Sequence, residues 1–134
     1  MEEVSNTQNG RLLLASAIIF MAASSGEISK EQWGQLHSVV GSNDELLKKA
    51  LDKVRETSID DFLAELTQEL NSDEQKMCVL LNVYDSMLAD ERITAEENVT
   101  FSKFKEALVT SASELEFYFK ALAIKNNIPI LDAN

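Results

Sequence analysis

Helix-start signals recur along this chain so often that they leave room for little except helices. A hydroxyl residue stands three places before an acid or amide at Ser29–Gln32, Ser42–Glu45, Ser58–Asp61, Ser72–Gln75, Thr94–Glu97 and Ser111–Glu114. In such a box the hydroxyl oxygen accepts the backbone N–H of the third helical residue. The side chain there reaches back to the N–H of the hydroxyl residue, so two donors that the helix leaves unpaired are satisfied together. Each box contributes roughly 1 kcal/mol. Its larger effect is to divide the chain into segments. One proline and four glycines in 134 residues leave few breaks beyond these starts.

The segments carry apolar residues at helical spacing. A polar stretch over 1–10, ending in Asn9–Gly10, reads as a flexible arm, and 11–134 as one domain. A first helix is expected from Arg11 to Ser24, stopped by Ser24–Ser25–Gly26, since glycine suits a helix end. Its run Leu12 to Ala23 is apolar except for Ser16. That is short of the roughly 20 residues needed to span a bilayer. Glu2 and Glu3 precede it where a secretory leader would be basic, so it is expected to be a core helix. The second helix starts at the Ser29 box, presents Trp33, Leu36, Val39 and Val40, and stops at Gly41. The third starts at Ser42 and runs to about Glu56. The fourth starts at Ser58 and presents Phe62, Leu63, Leu66 and Leu70.

The fifth helix opens at Ser72. Met77, Val79, Leu80, Leu81, Val83, Tyr84 and Leu88 make it apolar nearly all round, which is the pattern of a helix at the centre of a bundle. Cys78 lies within it and is expected to be a buried, inert hydrophobe. As the sole cysteine it excludes an intrachain disulfide and a cysteine-based metal cluster. A sixth helix opens at Thr94, with Ile93 plugging the turn before it and Val99, Phe101, Phe104 and Leu108 facing inward. A seventh opens at Ser111, takes Leu115, Phe117, Tyr118, Leu122 and Ile124 as its apolar positions, and ends at Asn126–Asn127 before Pro129. The expected fold is an all-α compact bundle of about seven helices with mostly antiparallel neighbours.

The net charge is −11, from 23 acids and 12 bases. Repulsion from phosphates argues against nucleic acid as a partner, while cations and basic proteins remain compatible. Residues 57–134 hold 15 of the acids and only 6 of the bases, so the acidity is concentrated in the second half. Five acids, Asp85, Asp90, Glu91, Glu96 and Glu97, crowd the connection between the fifth and sixth helices. Asp85 and Asp90 are about 140° apart on an ideal helix and converge only if it unwinds between them. Glu96 and Glu97 are also explained by the favourable field of a helix N-terminus, and Glu97 by its box. Hard cations such as Ca²⁺ and Mg²⁺ take several oxygens at about 2.0–2.6 Å, which this connection can offer. The EF-hand pattern is absent: counting from Asp85, the third and fifth positions are Met87 and Ala89.

A displacement of 65 residues lays the first hairpin on the fifth and sixth helices. Ile28 falls on Ile93, Ser29 on Thr94, Glu31 on Glu96 and Leu36 on Phe101. Both copies read as apolar helix, short turn, Ile, hydroxyl cap, acid, second helix, which suggests two related helical-hairpin halves. Glu27 and Glu31 are the acids of the first copy; the second is the richer.

Ala89–Asp90–Glu91–Arg92–Ile93–Thr94–Ala95–Glu96 and Ser24–Ser25–Gly26–Glu27–Ile28–Ser29–Lys30–Glu31 resemble the Ala-Asp-Gly-Glu-Ile turn of TerB-like tellurite-resistance domains. The stretch Leu115–Phe119 through Asn126 resembles their closing helix, so the likeness spans about residues 11–127. The resemblance implies an all-helical fold of two related halves, no catalytic activity, and acidic residues that bind a divalent cation. It also implies a role in bacterial stress or tellurite resistance within a larger membrane-associated system. The positions matching the motif are Asp90, Glu96 and Glu31. Glu91 stands where glycine is usual, Ser25 where an aspartate is, and Arg92 brings a positive charge able to pair with Asp90 or Glu96 and displace a metal.

The candidate metal residues are therefore Asp90, Glu96, Glu31, Asp85, Glu91, Glu97 and Glu27, with Ca²⁺ or Mg²⁺ favoured over Zn²⁺, since His37 is the sole histidine. No nucleophile–base pair, glycine-rich phosphate loop or HExxH motif is present, so no enzyme is expected. Protein partners, no nucleic acid, no insertion into a membrane and a cytoplasmic location complete the expectation. A metal-independent acidic interaction module is the main alternative, and a small-molecule binder or enzyme in a groove between the halves is a third.

Overall fold

The computed structural model describes residues 2–41, 43–89, 93–108, 112–127 and 131–132, and side chains among these except at 2–8, 112–115 and 117. Among them are seven α-helices and no strand: α1 Glu2–Ala22, α2 Lys30–Val40, α3 Asp44–Glu56, α4 Ile59–Glu69, α5 Asp73–Leu88, α6 Ala95–Leu108 and α7 Ala112–Asn126. A 3-10 turn, Ala23–Ser25, follows α1. Gly26 then takes φ 105° and Gly41, after α2, takes φ 84°. Both lie in the left-handed region, where a Cβ is costly and glycine is not.

Most helix starts use the expected caps. Ser29 Oγ accepts from Gln32 N while Gln32 Oε1 accepts from Ser29 N. Thr94 and Glu97 make the same reciprocal pair. Ser58 Oγ accepts from Asp61 N. Ser72 Oγ accepts from Gln75 N, but Gln75 reaches back one residue further than expected and accepts from Asn71 N. The third helix departs from expectation: its cap is Asn43, whose Oδ1 accepts from Leu46 N, and not Ser42, which lies outside the described residues. Ser111, the expected cap of the seventh helix, also lies outside them.

The first helix begins at Glu2 rather than Arg11, so the backbone of the expected arm is helical and Asn9–Gly10 sits inside α1. Once a helix is nucleated each further residue adds a hydrogen bond, which outweighs the modest propensity cost of one Asn and one Gly.

The core has two parts, and α1 belongs to both. Leu13, Ala17 and Met21, four apart, face Phe62, Leu63 and Leu66 of α4, Val79, Leu80 and Val83 of α5, and Phe104 and Leu108 of α6. Ala15, Ile18 and Ile19 face Leu36 and Val40 of α2 and Leu46, Leu47 and Ala50 of α3. Burial on two opposite faces explains why the sequence from Leu12 to Ala23 shows no polar stripe. Its one polar side chain, Ser16, is fully buried and donates to Leu12 O at 2.7 Å. This back-bond removes the cost of an unpaired hydroxyl.

The centre of the bundle is thus α1, not α5. On α5, Cys78 is exposed and Met77, Leu81 and Tyr84 are only half-buried. Cys78 is therefore not the buried hydrophobe that its apolar neighbours suggested. Its sulfur accepts a weak contact from Asn82 Nδ2 at 3.7 Å. We expect one equivalent of a maleimide to modify it in the native protein, without denaturant and without loss of helical circular dichroism. Labelling that required unfolding would contradict its exposure.

Three other inward assignments also fail. Val99 is 58% exposed, Ile93 43% and Ile124 56%, so Ile93 does not plug the turn before α6. Helical spacing identifies residues on one side of a helix, but packing decides how wide a stripe is covered. Tyr118 is exposed as well. Three other aromatics join α5, α6 and α7: the rings of Tyr84 and Phe119 are 4.6 Å apart, Tyr84 and Phe101 5.0 Å, and Phe101 and Phe119 5.3 Å. Burial in this cluster raises the Tyr84 phenol above the usual tyrosine range. No helix among the described residues is long and apolar enough to cross a membrane.

Candidate functional site

The most polar construction in the core lies where the first turns of α2 and α6 meet. Glu97, 1% exposed, and Gln32, 2% exposed, are among the few fully buried polar side chains described. Gln32 Nε2 donates to Glu97 Oε2 at 3.0 Å. The remaining polar atom of each side chain is also engaged: Gln32 Oε1 accepts from Ser29 N and Glu97 Oε1 from Thr94 N, both at 3.0 Å. A continuous chain of hydrogen bonds thus runs from one cap to the other. Burying a carboxylate and an amide would be costly if they were unpaired. Here each is held by its own helix start and by the other side chain.

The two residues are 65 apart, the same offset that relates Ser29 to Thr94 in the sequence. The positions that this displacement lays on each other therefore touch. Close by, Ser24 Oγ donates to Thr100 Oγ1 at 2.7 Å and ties the end of α1 to α6. The starts of α2 and α6 are consequently neighbours.

The predicted metal residues fare unequally. Glu97 is committed to its cap and to Gln32. Asp85, half-buried on α5, accepts from Asn126 Nδ2 at 2.9 Å through Oδ1, and its Oδ2 lies 3.8 Å from Lys125 Nζ. It anchors the end of α7. Glu96, Glu31 and Glu27 are exposed, the first two in the opening turns of α6 and α2. Asp90 and Glu91, with Arg92, lie outside the described residues. Among the described residues no three His, Cys, Asp or Glu side chains gather as a metal ion would need. His37 is exposed and lies against Trp33, ring centroids 6.3 Å apart.

Gln32 is the residue that motif reasoning passed over. Its box role was legible, and the 65-residue displacement already carries it onto Glu97. What gave no signal was that two equivalent residues should meet face to face. Comparison of the chain with protein-family models, with curated protein sequences and with solved structures finds no match in any of the three.

Proposed function

We propose that this chain is a TerB-like, non-enzymatic bacterial stress-response domain of the cytoplasm. In this reading it is built from two related hairpins and binds a divalent cation weakly at the turn between α5 and α6. Asp90 and Glu96 are the principal ligands, with Glu91 beside them and Glu31 and Glu27 contributing from the neighbouring turn. The observation that carries the reading is the direct bond between Gln32 and Glu97, equivalent residues of the two cap turns. It supports the two-halved architecture that the resemblance implies, since it brings together the helix starts that follow the two turns. Asp85 and Glu97 are not ligands in this reading, because both already serve hydrogen bonds within the protein.

Titration calorimetry and thermal melting with Ca²⁺, Mg²⁺ and Zn²⁺ test the proposal. An ion at a hundred times its dissociation constant raises stability by about 2.7 kcal/mol. We expect such a rise with Ca²⁺ or Mg²⁺ in the unaltered chain and its loss in Asp90→Asn and Glu96→Gln. Arg92→Ala should strengthen binding by removing a competing cation. No heat and no rise in melting temperature with any of the three ions removes the metal from the function.

A second reading is an acidic protein-interaction module that needs no ion. It is favoured by the exposure of Glu27, Glu31 and Glu96 together with the net charge of −11. Its partner would present a basic surface, and the complex would weaken with salt and persist in EDTA.

A further inference from the structure

We infer that Gln32 and Glu97 form a polarity-coded clamp between the two hairpins, one that closes without taking up a proton only when one position holds an amide and the other a carboxylate. The inference follows from counting donors and acceptors along the chain of hydrogen bonds. Each end of that chain is a backbone N–H, Ser29 at one end and Thr94 at the other, and each demands an acceptor. Gln32 meets its end with Oε1, which leaves its Nε2 donor facing Glu97. Glu97 meets its end with Oε1 and presents Oε2, a second acceptor. The chain is complete.

With glutamine at both positions it cannot be completed. Two amides offer two acceptors, and the backbone ends consume both, so two NH₂ groups confront each other. Rotating either amide moves the conflict to a cap without removing it. With glutamate at both positions the two ends are satisfied, but two carboxylate oxygens meet at hydrogen-bond distance in a site shielded from water, and they bond only if the pair takes up a proton, which costs stability at neutral pH. With the two side chains exchanged the chain closes again in the opposite sense. The carboxylate, now on α2, accepts from Ser29 N and from the amide NH₂, now on α6, while the amide oxygen accepts from Thr94 N. Both positions lie in the first turn of a helix, where a negative charge is favoured, so the exchange does not move the charge into a hostile field. The clamp is independent of any ion at the adjoining turn.

Glu97→Gln, Gln32→Glu and the double exchange, each unfolded in urea, test this. A buried group left without its partner is expected to cost each single variant about ten- to a hundredfold in its folding equilibrium constant. The double variant should return to within about fivefold of the original chain, so that the two changes are strongly non-additive. Hydrogen exchange at the Ser29 and Thr94 amides should rise in the single variants and fall back in the double. If a single variant does not fold while the double does, the clamp is supported as strongly. Two outcomes overturn it: single variants as stable as the original, or a double variant as unstable as the product of the two single effects.

Discussion

Replacing Phe62 by alanine is expected to lower the free energy of unfolding by about 3–5 kcal/mol. Phe62 is fully buried on α4, and its ring lies 4.8 Å from that of Phe20 on α1 and 6.4 Å, edge-on, from that of Phe104 on α6. Removing it takes away the apolar area of the largest side chain that α4 contributes. It also leaves a cavity between three helices, and rigid helices close such a gap only in part. Leu63 and Leu66 are buried beside it, and the polar contacts of α4 are weaker than these. Its ion pairs are Glu65 with Lys53 at 2.8 Å, partly shielded, and Asp60 with Lys103 at 3.7 Å, exposed. Exposed pairs contribute only about 0–1 kcal/mol. Domains of this kind are stable by about 5–15 kcal/mol, so the loss is a large share of the whole. The urea midpoint should move with little change in slope. A loss below about 1 kcal/mol would mean that α4 is held by something other than the Phe20–Phe62–Phe104 contact.

Local chemistry made the helices legible and global packing hid the site. Ser29, Ser58, Ser72 and Thr94 were readable as caps because a cap is decided within four residues. Asn43 was missed in favour of Ser42 because both side chains are able to accept the same kind of N–H, and the choice depends on where the preceding turn delivers the chain. The seven segments and the absence of strands among the described residues therefore followed from sequence, whereas the hierarchy among the segments did not. An apolar helix announces that it is covered, not by what or on how many sides. That is why the composition of α5 reads as that of a central helix, and why Val99, Ile93 and Ile124 read as inward residues although they are exposed.

The candidate acids divide along the same line. Glu97 was legible as a capping residue because its partner is Thr94, three residues away. Its bond to Gln32 and the bond of Asp85 to Asn126 span 65 and 41 residues, and no local pattern encodes them. Both bonds change the chemistry that the acids offer. A carboxylate already accepting from two protein donors, or from one donor with a lysine close by, is a poor candidate for a labile cation. The exposed Glu96, Glu31 and Glu27 keep their capacity because nothing in the described core uses them.

The second large effect concerns which helix organises the bundle. Ile18→Ala on α1 is expected to cost about 2–5 kcal/mol, and Leu81→Ala on α5 less than half as much. Ile18 is fully buried among Leu36, Leu47 and Ala50, whereas Leu81 is partly exposed. A side chain that already meets water loses less apolar contact on truncation, and the gap it leaves is open to solvent instead of sealed. The comparison is informative because both residues sit mid-helix with the same number of carbons, and alanine, the best helix former, adds no propensity cost at either. If α5 were the centre, as its composition suggests, the order would reverse. If α1 is the centre, Ile18→Ala weakens the α1–α2–α3 side of the core directly and leaves the α5 side intact. Its effect and that of Phe62→Ala should then be close to additive, since the two side chains lie in separate parts of the core on opposite faces of α1. Strong coupling between them would instead mean that α1 shifts as a rigid rod when either side of it is hollowed.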